Sequence, residues 1–569
     1  MKKRLTALLI FFAMACTALA GCAPTEENKS ETEGSSSYTV SEDSLLYSSG
    51  DKENTSSALE AGLYPGTPDE DMITVNIQQE PLIMNSLISA DAVSFMMMKN
   101  IYENLVRLDN DDNVTPGAAE SWDISADECT YTFHLREGMI WENGDIVTAR
   151  DFEFAWKQLL NPETDARYAY LLHGVEGAKE YTRGIGKRED VKITAEDDLT
   201  LKVVLLRPIK YFLKQTASGP LSPINQRFYY EVGADKYGTE ADYILSNGPF
   251  SVKSWVHSSE IRLTKNEDYF NADAVKIPKI KCLMITDGNA VVNSFMANEL
   301  DMSILAQGSK ADLLENTGHE VLHYDGGFIL LRMNLENEVL SNLNVRKAIT
   351  TAIDRQAFVD TVLQNSSLPA ISLAPLGIKR KNSLRPAGDT QEAKRLLEQG
   401  LEELGMTAQE AGESLTFIAD EGGEAVKMAL FFKEQLSSRL GLDVEVQSIP
   451  LKSRIDRVAK MDYSLALDTW VLDYDAFFDL FVTGGGDSCT GFSNEEYDRL
   501  AAEAAFEKDV DKRMEIFYRL EEILEENAVI APVCHRVCDY IVSDKVEGIY
   551  TTAFQDIIFM DAYIIMTAM

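Results

Sequence analysis

The order in which strand-like and helix-like stretches follow one another constrains this chain more than any single residue does. MITVNIQ, from Met72, alternates as a half-buried strand does, and SFMMMKNIYENLVRL further on has helical spacing. Tyr131 to Leu135 alternates again, Asn143-Gly144 supplies a turn, and Thr148 with Asp151 makes a capping-box pattern opening a helix that ends before Asn161-Pro162. Strand and turn character fills DDLTLKVVLLRPIKYFL and SNGPFSVKSWVHSSEIRLTKNEDYF. Helical periodicity returns in NVRKAITTAIDRQAFVDTVL, EAKRLLEQGLEELG and EAVKMALFFKEQLSSRLG. No stretch recurs at a fixed period. Irregular interleaving over 569 residues predicts mixed α/β domains that the backbone enters more than once. The Met96-Met97-Met98 run reads as core filler, because methionine adapts to irregular gaps.

The first seventy residues follow other rules. MKKR is cationic, Leu5 to Ala18 is a short apolar run, and Leu19-Ala20-Gly21-Cys22 brings small residues to a cleavage point, so residues 1–21 read as a signal peptide. The run is marginal for spanning a bilayer, and no later stretch qualifies. LAGC resembles the lipobox of bacterial lipoproteins, which implies that Cys22 is diacylated and becomes the membrane anchor. The competing interpretation is an ordinary secretory signal with an incidental cysteine. From residue 22 to 71 the composition is Ser, Glu, Thr, Asp and Gly with few large apolar residues, as in TEENKSETEGSSS, and reads as an acidic tether. YTVSEDSLLY within it could alternatively pack as a strand.

With 53 Lys plus Arg against 92 Asp plus Glu, the formal charge of −39 repels nucleic acid and anionic lipid, and excludes nucleic-acid binding. Five cysteines beyond Cys22 (Cys129, Cys282, Cys489, Cys534, Cys538) are too few, too scattered and odd in number for a disulfide framework, and the sequence assigns none of them a role. Cys534 and Cys538 lie in VIAPVCHRVCDYIV, which alternates as a strand and would hold the two thiols about 13 Å apart, so buried free thiols are expected rather than a metal site.

His319-Glu320-Val321-Leu322-His323 matches the H-E-x-x-H signature of zinc proteases. That chemistry needs a helix, which puts both histidines and the glutamate on one face. Gly318, Gly326 and Gly327 bracket the motif and polar and apolar residues alternate through it, so a strand is expected, with the histidines about 13 Å apart and Glu320 on the other face. No G-x-S-x-G elbow, Walker A loop or G-x-G-x-x-G after a strand appears. The expectation is a protein without catalytic residues, bound metal or cofactor.

PGAAESWDIS, YTFHLREGMIWENGDIVTARDFEFAWKQLLNPET, SNGPFSVKSW, LTKNEDYF, NVRKAITTAIDR, and DTWVLDYDAFFDLF followed by GFSNEEYDRL together resemble the oligopeptide-binding lipoproteins that serve ATP-driven importers, the large extracellular solute-binding proteins of the oligopeptide and dipeptide type. They occur in that family's order from about Met72 to Met569. The resemblance implies a mixed α/β, two-lobe periplasmic-binding-protein type II fold with an additional domain on the first lobe. Residues 72–103, 225–327 and 543–569 would form the first-lobe core, 104–224 the additional domain, and 328–542 the second lobe, with HEVLH near a crossover.

It also implies ligand contacts. Asp473 matches the family aspartate that receives a peptide amine, and burying an ammonium is costly unless a carboxylate meets it. Backbone groups at Thr469, Trp470 and Val471 would extend the peptide as an added strand, and Trp470 would supply an aromatic wall. Tyr168 falls where the family's additional domain places a tyrosine in the cleft, and Asn247-Gly248 marks a turn beside the crossing strands; core burial and a purely structural turn are the respective alternatives. Asp475 reads as the cap of AFFDLF. Ala476 stands where the family usually has proline, and Met84-Asn85-Ser86 where it has Leu-Asp-Pro, which weakens any contact inferred there. The implied function is a monomeric, lipid-anchored receptor on the extracytoplasmic face of a bacterial cell membrane. It would bind short peptides and deliver them to the permease and ATPase of an ABC transporter. The alternatives are the same fold holding haem, a nickel chelate or a sugar, and a surface signalling or adhesion protein no longer coupled to transport.

Overall fold

The computed structural model describes residues 71–305, 319–373, 384–421, 423–470, 474–483, 489–507 and 509–565. The proposed signal peptide, Cys22 and nearly all of the tether lie outside them. No helix among the described residues is long and apolar enough to cross a membrane.

One eleven-stranded sheet organises the body. In spatial order it runs Glu445–Ile449, Thr416–Asp420, Leu465–Trp470, Glu320–Met333, Ile530–Val542, Met302–Ile304, Met72–Asn76, Lys279–Leu283, Glu260–Lys265 and Phe250–Val256, with Leu368–Pro369 paired off Ile530–Val542. Met72–Asn76 is parallel to both neighbours, and parallel pairs require crossover connections. That requirement accounts for the irregular mixture of elements in the sequence.

Two long antiparallel strands, Glu320–Met333 and Ile530–Val542, link the halves. Residues 320–325 pair with 537–542, which adjoin Met302–Ile304, whereas 328–333 lie between 530–535 and Leu465–Trp470. The register shifts between Asp325 and Phe328 and again between Ile329 and Leu330. Gly327 sits at the first shift with φ +89°, a backbone angle that glycine adopts without steric cost, and a bulge there bends and twists the strand. The crossing therefore turns at a definite place.

On one side of the crossing a large core holds Ile73, Met96, Met97, Met98 and Phe559, so the methionine run is core as expected. A four-stranded antiparallel sheet, Ala119–Ile124, Thr130–Leu135, Thr200–Val204 and Ile193–Ala195, adds to that side. Thr130–Leu135 alternates buried and half-buried residues along TYTFHL, and His134 turns out to meet Asp123 at 2.9 Å. Helix Ala149–Leu159 starts as predicted, with the Thr148 amide donating to Asp151 Oδ2 at 2.8 Å. On the other side, Leu331, Ile349, Phe417 and Phe432 share a second core. A third joins Phe478, Phe481, Tyr497, Phe517 and Leu524. This is a mixed α/β, two-lobe type II architecture.

HEVLH lies at the start of the first crossing strand. His323 Nδ1 is 2.7 Å from Asp539 Oδ1, and the His319 ring packs edge-on against Phe295 at 4.8 Å between centroids. The two imidazoles thus have separate engagements. Among the described residues no group of three His, Cys, Asp or Glu could hold a metal ion. Cys534 and Cys538 share the second crossing strand; Cys534 is buried as expected, whereas Cys538 is only half-buried. Burial pushes the Cys534 thiol up to about 12, which keeps it protonated and inert.

Candidate functional site

Where the two lobes face each other the described residues enclose a cavity of about 600 Å³, within the range of roughly 300–1,000 Å³ usual for small-ligand sites. Phe95, Tyr168, Tyr170, Tyr211 and the segment Phe554–Asp556 line one wall. Arg332, Asp420, Met428, Arg454 and Leu467–Thr469 line the other.

The second wall is built from a strand edge. Leu465–Trp470 pairs along its whole length with residues 328–333 of the crossing strand, but its other edge meets Thr416–Asp420 only at Leu465 and Ala466. From Leu467 to Trp470 no described strand pairs with that edge, and Thr469 there is exposed and lines the cavity. Such an edge presents backbone donors and acceptors to any extended chain beside it.

Below the edge sits an ionic quartet. Asp468 pairs with Arg332 through Oδ2 and with Arg454 through Oδ1 (3.2 Å), and Arg454 Nε also reaches Asp420 Oδ1 at 2.7 Å. Arg332 and Asp468 are nearly fully buried. Burial pushes the Asp468 carboxyl up, but the two guanidinium groups outweigh it and hold the group below the usual carboxylate range. The quartet is internally neutral and fixes the floor of the cavity.

The facing wall is aromatic and carries one carboxylate. Tyr168 is half-buried and stacks edge-on against Phe95 at 5.2 Å, with the Arg167 guanidinium 5.7 Å over its ring. Asp556 is 2% exposed, and its Oδ2 has no hydrogen-bond partner. Burial raises its carboxyl to about 7, against the opposing pull of Lys99 and a hydrogen bond from Thr552.

At the rim the lobes touch. Asp479 accepts from Arg207 at 3.0 Å on each oxygen and from the Tyr211 hydroxyl at 2.6 Å. Tyr170 packs against the Phe477–Phe481 cluster of the opposite lobe. These contacts span the cavity mouth.

The residues singled out in the sequence separate into three groups. Tyr168 and Thr469 both line the cavity, from opposite walls. Trp470 ends the open edge, but its side chain, together with Val471 and Asp473, lies outside the described residues. Asn247 and Gly248 are not among the described residues that line the cavity. Asn247 is buried, accepts from the Glu103 amide at 3.0 Å and donates to the Glu103 carbonyl at 3.3 Å. Gly248 donates to the Ile101 carbonyl at 2.9 Å, and a Cβ there would stand 2.7 Å from the Ile101 carbonyl carbon. The pair closes the sheet onto the helix Ala92–Ile101, a fold role that requires glycine for close approach. Met84, Asn85 and Ser86 are likewise buried.

The sequence reading missed the quartet, Asp556 and the Asp479 contacts. A charged residue within an apolar run, Arg332 in FILLRM or Asp468 in LALDTW, was the available signal for the quartet, since buried charges need partners.

Residues 113–489 match the family described as "Bacterial extracellular solute-binding proteins, family 5 Middle". The chain belongs to this family. It is 32% identical over 504 residues to the oligopeptide-binding protein OppA of Bacillus subtilis, covering 86% of this chain and 92% of that protein. It is also 32% identical over 494 residues to the dipeptide-binding protein DppE of the same species, covering 85% and 90%. Among solved structures it is similar to Listeria monocytogenes OppA bound to peptide, with TM-score 0.76, 29% identity, and coverage of 88% of this chain and 100% of that one. The family is a solute-binding class, and the two-lobe body with a cavity between its walls agrees with that assignment.

Proposed function

We propose that this chain binds short peptides between its lobes and delivers them to an ABC permease while held at the extracytoplasmic membrane face through Cys22. The observation that carries this reading is the edge Leu467–Trp470 beside the cavity, which no described strand pairs. A peptide backbone is the one part of its ligand class that never varies, and an unpaired strand edge grips it without reading side chains. Asp473, three residues past the strand end, receives the peptide ammonium in a charge-assisted hydrogen bond, roughly twice as strong as a neutral one. Trp470 walls the peptide beside it, Val471 continues the backbone pairing, and Tyr168 closes the site from the other lobe. The names of the relatives, two of them peptide-binding and one seen with peptide bound, support the same ligand class. We assign 72–103, 225–327 and 543–569 to the first-lobe core, 104–224 to its additional domain and 328–542 to the second lobe, and a monomer as the working unit.

A thermal-shift comparison tests the ammonium contact. Short peptides with a free amine should raise the melting temperature of the purified protein. N-acetylated versions, or the free-amine peptides with Asp473→Asn, should give little of that shift. Equal stabilisation by both peptide forms refutes the reading.

A further inference from the structure

Three features of the cavity lie beyond the expected peptide contacts: the ionic quartet, the rim contacts of Asp479, and Asp556. The quartet is mutually neutralised, and the rim contacts are already satisfied within the protein. Asp556 differs from both. It lines the cavity, its side chain is almost wholly withdrawn from solvent, and one carboxylate oxygen is left without a hydrogen bond. A buried acceptor without a donor costs free energy, and a carboxylate costs more than a neutral group, so such a site persists where a donor arrives from outside.

The neighbours of Asp556 do not supply that donor. The Lys99 Nζ donates to the Ala217 carbonyl at 2.6 Å and to Asn104 Oδ1 at 3.4 Å, and it acts on Asp556 only through the longer-range field. Arg107, which shares a small crevice with Asp556, is bidentate to Glu103 at 2.7 Å on both oxygens. The phenol of Tyr550 donates to the Leu108 carbonyl at 3.2 Å. Thr552 supplies one hydrogen bond, and Oδ2, itself closed off from solvent, is left without a partner.

We infer that Asp556 is a specificity-determining residue that receives the cationic side chain of a bound ligand, separately from the amine-binding contact assigned to Asp473. The inference rests on the peptide reading above. Its chemistry selects a lysine, ornithine or arginine side chain reaching the first-lobe wall while the ligand backbone lies along Leu467–Trp470. Because the empty carboxyl holds its proton to about pH 7, seating a cation there expels that proton. Among the described residues, Lys99, Tyr102, Glu103, Arg107 and Tyr550 line the same crevice as Asp556, and Arg167 lines the same cavity wall. Basic ligands should then bind more tightly as the pH rises through about 7, whereas neutral ones should not.

The test is calorimetry on the full chain with alanine tetrapeptides carrying a free amine and a single lysine at the second, third or fourth position, each paired with its norleucine counterpart. At one position lysine should bind roughly ten-fold more tightly than norleucine. Asp556→Asn should bring that ratio to about one. On the unaltered protein, titrations in two buffers of different ionisation enthalpy should show proton release near pH 7 for that lysine peptide only, a readout that does not depend on the variant folding. A lysine-to-norleucine ratio near one at every position, or a ratio unchanged by Asp556→Asn, overturns the inference. Binding of lysine peptide without proton release also overturns it. Failure of the all-alanine peptide to bind the unaltered protein would instead sink the peptide reading itself.

Discussion

The two walls of the cavity treat buried charge in opposite ways. On the second-lobe wall Asp468 lies between Arg332 and Arg454, and Arg454 spans on to Asp420. Opposite them Asp556 is equally withdrawn from water but has an oxygen with no partner. Burying an ion pair returns little net stability, yet removing one member is severe, because the survivor stays buried without compensation. An unpaired carboxylate follows the reverse logic, since neutralising it relieves a cost. One wall is locked by its paired charges, and the other is kept receptive by an unsatisfied carboxyl oxygen.

The same isosteric change should therefore have opposite signs on the two walls. Asp468→Asn removes the carboxylate that Arg332 and Arg454 share, leaving Arg454 only its Asp420 partner in the quartet, and should cost about 3–5 kcal/mol in urea unfolding. A loss under about 1 kcal/mol would show that solvent reaches the quartet and that the walls are alike. Asp556→Asn is expected to stabilise the unliganded protein, and only at higher pH. The folded carboxyl titrates near 7 against 3.8 for the ordinary group, so its contribution is fully present below about pH 4 and is lost as the pH climbs through about 7. Across that window the unaltered protein should lose about 1–3 kcal/mol more than Asp556→Asn, read from unfolding curves at several pH values. Parallel pH profiles would remove the contrast.

Smaller effects sharpen the comparison at its edges. Arg207→Ala opens the rim contact with Asp479. Both side chains are partly exposed, so the expected loss is about 1 kcal/mol, appearing as roughly five-fold weaker ligand binding with little change in unfolding. A drop in stability larger than the drop in affinity would make the contact a fold element. Thr469→Val alters a side chain on the open edge but not its backbone, and affinity for an all-alanine peptide should stay within about two-fold. A ten-fold loss would mean that the hydroxyl, not the strand edge, holds the ligand.

How much of this was legible in the sequence follows from the range of each interaction. HEVLH and CHRVC were readable as strands because alternation is a local property with a period of two, and the neighbouring glycines argued against a helix. The capping box at Thr148 and Asp151 and the buried methionine run were local in the same way. Asn247-Gly248 shows where local reading stops. The motif marks a turn, but only the packed helix behind it shows that the asparagine bonds the Glu103 backbone. The quartet draws Arg332, Asp420, Arg454 and Asp468 from four separate segments, and Asp556 follows TTAFQ, a stretch with no pattern of its own. Partners set by tertiary distance leave no spacing rule to read.

The crossing strands have a mechanical consequence. Ile73 and Ala562 pack into one core, so everything on the far side is an excursion that leaves by one strand and comes home by its neighbour. Apart from the rim contacts, torque from that excursion converges on a two-stranded ribbon whose register Gly327 interrupts. The first lobe can thus stay parked while its opposite number swings, and neither end of the body is dragged along.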